Sequence, residues 1–144
     1  FGGLAMAIAL AMIVNGRLVM RLGMRKLSKL SLRTFVVLAI VFLGVSLLYH
    51  GLPPLWTLAL FLFVSFFCSG LLFGNFNAIA MEPMGRIAGM AAAISGSLSN
   101  AVAIATGALL GRFYDETVIP LAAGYAGLGL LAFLLSEWAE RRRA

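Results

Sequence analysis

Charge in this sequence is confined to the edges of long apolar runs, and that confinement decides what the chain can fold into. The runs cover Phe1 to about Met20, about Thr34 to Tyr49 (short, and expected to borrow a turn from Leu30 to Arg33), Leu55 to Met81, about Ile87 to Leu110, and Val118 to Trp138. A helix needs about 20 predominantly apolar residues to cross the hydrocarbon core of a bilayer, and the five runs meet or approach that length. No period-two alternation of polar and apolar residues supports strands. The sequence therefore predicts an all-α, polytopic transmembrane helix bundle. With 62% apolar and 11% charged residues, the chain could not clothe a water-facing surface, which takes about 25% charged residues in soluble domains.

The net charge of +6 raises nucleic acid as a partner, yet its placement argues against one. Six of the eleven Lys/Arg fall between Arg17 and Arg33, three are Arg141 to Arg143, and the others are Arg86 and Arg112. No aromatic-interleaved basic face is present. Basic residues at the ends of apolar runs are topology signals. Alternate loops hold ten and one basic residues, which puts the richer side and the carboxyl terminus in the cytoplasm, with the first span starting outside. Tyr49, Trp56 and Tyr114 fit as outer interfacial anchors and Trp138 as an inner one. Localisation in the inner (plasma) membrane as a multi-pass protein follows. The stretch RLVMRLGMRKLSKLSLR reads as a basic cytoplasmic loop, partly amphipathic, that could also lie flat on an anionic leaflet, and Arg112 with Asp115 and Glu116 as a local exposed ion pair.

Lipid tails are as apolar as leucine, so membrane helices associate through small residues and a few hydrogen bonds. The fourth span carries the rows Ser95, Ser99, Ala103, Gly107, Gly111 and Gly89, Ala93, Ser97, Ala101, Ala105. The first span carries Gly3, Ala7, Ala11, Asn15, and the fifth offers Ala123 with Gly127. These rows predict a tightly packed bundle. The third span holds six of the eleven phenylalanines, too widely spread round the helix for all to avoid lipid; bulk lipid contact is the expected role and an aromatic cavity wall the alternative.

Amides inside hydrocarbon need partners or water, because an unsatisfied one costs several kcal/mol. Asn15, Asn75, Asn77, Asn100 and Ser97 are the candidates for a substrate cavity. They either tie helices together or line a wet solute path. Glu82-Pro83, with Arg86, breaks the third span from the fourth. No mid-span carboxylate offers a proton relay. Cys68 stands alone, so disulfides and cysteine-metal sites are not expected. His50 is the only histidine, the serines lack a nearby base, and no phosphate-binding glycine loop follows a strand. No enzyme, no cofactor and no metal site is predicted.

At this point two motifs become recognisable. GRLVMRLGMRK, Gly16 to Lys26, resembles the degenerate second copy of the cytoplasmic loop signature of the major facilitator superfamily: Gly16, Leu18, Arg21, Gly23, Arg25 and Lys26 match, while Met20 replaces the aspartate of the first copy. GNFNAIAMEPMGRIAGMAAAISG is similar to the segment joining helices ten and eleven in the bicyclomycin/chloramphenicol-resistance (Bcr/CflA-like) branch of drug:proton antiporters, through Asn77-Ala78, Glu82-Pro83 and Ala88-Gly89. The resemblance implies that residues 1–144 are a single incomplete transmembrane domain, helices eight to twelve of a twelve-helix transporter, in the carboxyl-terminal six-helix half. The opening on Phe1 agrees with a missing amino terminus. It implies proton-driven efflux of small amphipathic or drug-like molecules by alternating access, with protons as coupling ion and the coupling carboxylate upstream of Phe1. Partners would be the substrate, the bilayer and the missing helices of the same chain. By the same analogy spans one, three and four face a central cavity. A metabolite carrier of the same superfamily and a non-transporting membrane subunit are the alternatives.

Overall fold

The computed structural model describes residues 2–142. Phe1, the expected start of the first span, and Arg143 of the basic tail lie outside the described residues. Five α-helices follow one another: α1 Gly2–Leu22, α2 Met24–Leu48, α3 Leu55–Met81, α4 Ala88–Arg112 and α5 Ile119–Arg141, with a 3-10 turn at Glu82–Ile87 between α3 and α4. Among the described residues, four continuous helical stretches are long and apolar enough to cross a membrane, the third being Leu55–Arg112, which comprises α3, the turn and α4.

Side-chain pairings fix the helix directions. Gly70 and Asn75 of α3 meet Ala11 and Asn15 of α1 in the same order, so α1 and α3 run parallel. Arg25 near the start of α2 reaches Glu82 at the end of α3, while Lys29 and Arg33 reach Glu140 and Glu137 near the end of α5. Hence α2 opposes α3 and α5. Leu110 at the end of α4 covers Gly124 near the start of α5, so α4 opposes α5. Successive helices therefore alternate in direction, and the basic residues expected in the cytoplasm gather at one end of the bundle.

α2 and α3 form the central pair, with α1 packed chiefly on α3 and α5 on α2. The core lies where α2, α3 and α5 meet: Ala39, Phe42, Phe61, Ala122 and Ala126 are buried there. Phe42 and Phe61 stack at 4.0 Å, and Tyr125 meets Phe61 edge-on at 5.4 Å. The small-residue row of α1 has the role its spacing predicts, since Ala7 and Ala11 are fully buried. Gly70 is required opposite them, because a Cβ there would sit 2.9 Å from the Ala11 Cβ. Val37, Ile40, Val41, Leu60, Leu131 and Leu134 are exposed on the outside, the surface that lipid would solvate.

Four expectations need correction. The basic stretch from Arg17 to Arg33 is not a loop: α1 continues to Leu22, only Gly23 interrupts, and α2 begins at Met24. Gly23 takes φ 76°, ψ 155°, a region that suits glycine. Beyond it, Leu27, Ser28, Ser31 and Leu32 are buried, a helical stripe that holds this basic segment against the bundle. The second helix accordingly starts at Met24, ahead of both the expected Thr34 and the extra turn expected from Leu30 to Arg33. In α5 the packed small residues are Ala122, Gly124, Ala126 and Gly129, not Ala123 and Gly127. The small rows of α4 pack against nothing tightly; no residue of α4 is buried. Finally, Asp115 pairs with Thr117 and not with Arg112, accepting from its backbone N–H at 3.2 Å and its hydroxyl at 2.6 Å.

At the end remote from the basic residues, two connections lock together. α2 ends in a Schellman motif: Gly51 N–H donates to Ser46 O at 2.7 Å and His50 N–H to Leu47 O at 3.1 Å, with His50 in the left-handed region at φ 51°. Pro53 and Pro54 then end the turn and start α3. Gly51 O accepts from Val118 N–H at 3.0 Å, which ties the α2–α3 connection to the start of α5.

Candidate functional site

The five residues proposed for a cavity separate into three places. Asn15 and Asn75 form an interhelical tie. Asn75 is 2% exposed; its Nδ2 donates to Asn15 Oδ1 at 2.7 Å and to Leu71 O at 2.8 Å. Both amide hydrogens of Asn75 are thereby satisfied. Of the two readings left open for these amides, the helix tie describes this pair.

Asn77 and Asn100 are brought together elsewhere. They line a cleft of about 380 Å³ between α3 and α4, with Phe73, Phe76, Ser95 and Ser99. Asn77 sits two residues beyond Asn75, about 200° round a helix, so its side chain leaves the opposite face of α3. Its Nδ2 donates to Phe73 O at 3.1 Å. The carbonyl oxygen of Asn77, the whole Asn100 amide and two serine hydroxyls remain to meet a guest. Phe73 and Phe76 supply aromatic walls. A few polar groups on an apolar and aromatic wall are the usual make-up of a small-molecule site. Ser97 is not part of it and is exposed on another face of α4. Sequence reasoning did not single out Ser95 and Ser99 for the cleft; their i,i+4 spacing, with Asn100 adjacent, carried the signal.

The two recognised motifs meet at the basic end. Arg25 Nη2 donates to Glu82 Oε2 at 3.3 Å, joining the loop signature to the helix break. The turn that carries Glu82 has Pro83 near its start, and Gly85 departs from helical geometry at φ 44°, ψ −114°. Gly16 and Arg21 lie on the last turns of α1, Gly23 forms the joint, and Lys26 and Arg86 are exposed. Lys29–Glu140 and Arg33–Glu137 extend the ion pairing along α2. These pairs were not anticipated, although Arg25, Lys29 and Arg33 recur every four residues on one helical face.

No protein-family model, curated protein or solved structure matches the chain. Among the described residues no group of three or more His, Cys, Asp or Glu could hold a metal ion. Cys68 is free and buried.

Proposed function

We propose that this chain is the part of a major facilitator-type secondary transporter that contributes helices eight to twelve, and that the α3–α4 cleft is a stretch of its solute path. The observation that carries the reading is that Asn77 and Asn100 line one cleft together with Phe73 and Phe76. Two amides facing a shared cleft in otherwise apolar helices leave hydrogen-bonding capacity of the kind that Asn75, with both amide hydrogens engaged, has used up in its helix tie. The alternation of helix directions, with basic residues at one end, supports five crossings and a cytoplasmic carboxyl terminus in the inner (plasma) membrane.

An aromatic and amide lining suits small amphipathic or drug-like molecules, and proton-driven efflux by alternating access is the mechanism that the motif resemblance favours. No carboxylate lies within the described helices near mid-span, so the coupling group belongs to another part of the transporter. The chain performs no covalent chemistry in this account and needs no cofactor. Efflux from cells expressing the intact protein tests the reading. Asn77→Ala and Asn100→Ala reduce export of amphipathic cations and neutral drugs; unchanged export of every compound tested refutes the assignment. A metabolite carrier would instead show one preferred substrate in competition assays.

A further inference from the structure

A second cleft, of about 410 Å³, opens at the basic end between α2, α3 and α5. Ile79, Ala80, Ala132 and Leu135 form its apolar walls, and Arg25, Lys29 and Glu140 stand among its lining residues, with Lys29 paired to Glu140. We propose that this cleft binds an anionic phospholipid of the adjoining leaflet, with an acyl chain against the apolar walls and the phosphate held by Arg25 and Lys29.

Charge complementarity is the argument. The described residues at this end include nine cations, from Arg17 to Arg33, Arg86, Arg141 and Arg142, against three carboxylates, Glu82, Glu137 and Glu140. All three carboxylates are already placed on the α2 row, so the end retains a positive excess that an anionic leaflet would neutralise. Arg25 gives Glu82 one hydrogen bond, from Nη2, out of the five that a guanidinium can donate. Both partners are more than half exposed, and exposed ion pairs of this kind exchange readily for a stronger acceptor. A free phosphate would satisfy the cations but leave the apolar walls in contact with water. A phospholipid meets both demands. The cleft borders the Asn77–Asn100 cleft through Phe76 and Ala80 of α3, while its charge complementarity does not depend on the transport reading.

The intact protein, reconstituted in nanodiscs of equimolar phosphatidylglycerol and phosphatidylcholine and released into the gas phase for native mass spectrometry, gives the test. Phosphatidylglycerol should be retained over phosphatidylcholine. Arg25→Gln with Lys29→Gln lowers that preference by on the order of tenfold, whereas Lys26→Gln, one charge removed outside the cleft lining, leaves it within about twofold. Ala132→Phe fills the cleft without touching any charge and also abolishes retention, so the outcome does not rest on the charge variants staying folded. Glycerol phosphate, which lacks acyl chains, does not displace the lipid. Equal retention of both lipids, an effect of Lys26→Gln matching that of the double variant, undiminished binding in Ala132→Phe, or displacement by glycerol phosphate would each overturn the proposal.

Discussion

Asn75 and Asn15 join α3 to α1 through a 2.7 Å hydrogen bond, one turn beyond the point where Gly70 lets Ala11 approach. The small-residue contact and the amide bond act together, since close packing is what brings two short side chains within reach. Interhelical hydrogen bonds in bilayers contribute about 0.6 kcal/mol on average and up to about 1.7 kcal/mol. Asn75→Leu should therefore destabilise the bundle by about 1–2 kcal/mol. A double-mutant cycle of Asn15→Ala and Asn75→Ala, read by steric-trap unfolding in bicelles, should give a coupling of about 0.5–2 kcal/mol. Additive effects would mean the bond contributes nothing.

Gly70→Ala places a methyl group 2.9 Å from the Ala11 Cβ. Overpacking of this kind costs about 1–3 kcal/mol. Ala11→Gly in the same protein should recover part of the loss, because it reopens the space on the facing helix. The readout is unfolding in the same bicelles, and a lack of rescue would place the strain elsewhere.

The α2–α5 lock at the far end gives a pair of opposed predictions. His50 holds a left-handed conformation at φ 51°, which glycine adopts without the Cβ clash, so His50→Gly should stabilise by about 0.5–1 kcal/mol. Gly51→Ala should do the reverse. Its φ is +84° and the added Cβ would lie 2.6 Å from the Thr117 Cβ. Thermal unfolding of both variants in detergent tests the two signs together.

Asp115 is held below the usual carboxylate range, chiefly by the hydroxyl hydrogen bond from Thr117. A lowered folded-state pKa means that the contribution is present above the unfolded value, about 3.9, and is lost as pH falls through the folded value. Carboxyl carbon NMR should show Asp115 titrating below the ordinary range, and Thr117→Val should move it upward. No movement would separate the turn from the titration.

Much of the fold was legible because membrane helices announce themselves by length. The five runs became five helices, α3 with the expected bounds Leu55–Met81. The α1 row Gly3, Ala7, Ala11, Asn15 was legible for a physical reason: one i,i+4 face met one partner, and Ala7 and Ala11 are buried on it. Small residues alone did not suffice in α4, whose rows share the same spacing and bury nothing. Spacing identifies a face that can pack; it does not supply the opposing surface. The basic stretch misled because charge density suggested a loop, while the stripe of Leu27, Ser31 and Leu32 that keeps it helical was masked by the intervening cations. Among the candidate residues, sequence found the amides but could not sort them. Asn75 and Asn77 differ by two positions, enough to turn one towards α1 and the other towards α4.

Accessibility to water-soluble thiol reagents tests the central claim, that Asn77 and Asn100 line a wetted solute path. In the intact protein within its membrane, with Cys68 replaced by serine, Asn77→Cys and Asn100→Cys should react with a membrane-impermeant methanethiosulfonate at rates well above that of Val41→Cys, an exposed apolar position on the outer face of α2. Labelling should slow when a transported compound is present. Labelling of both positions as slow as that of Val41→Cys would contradict the account.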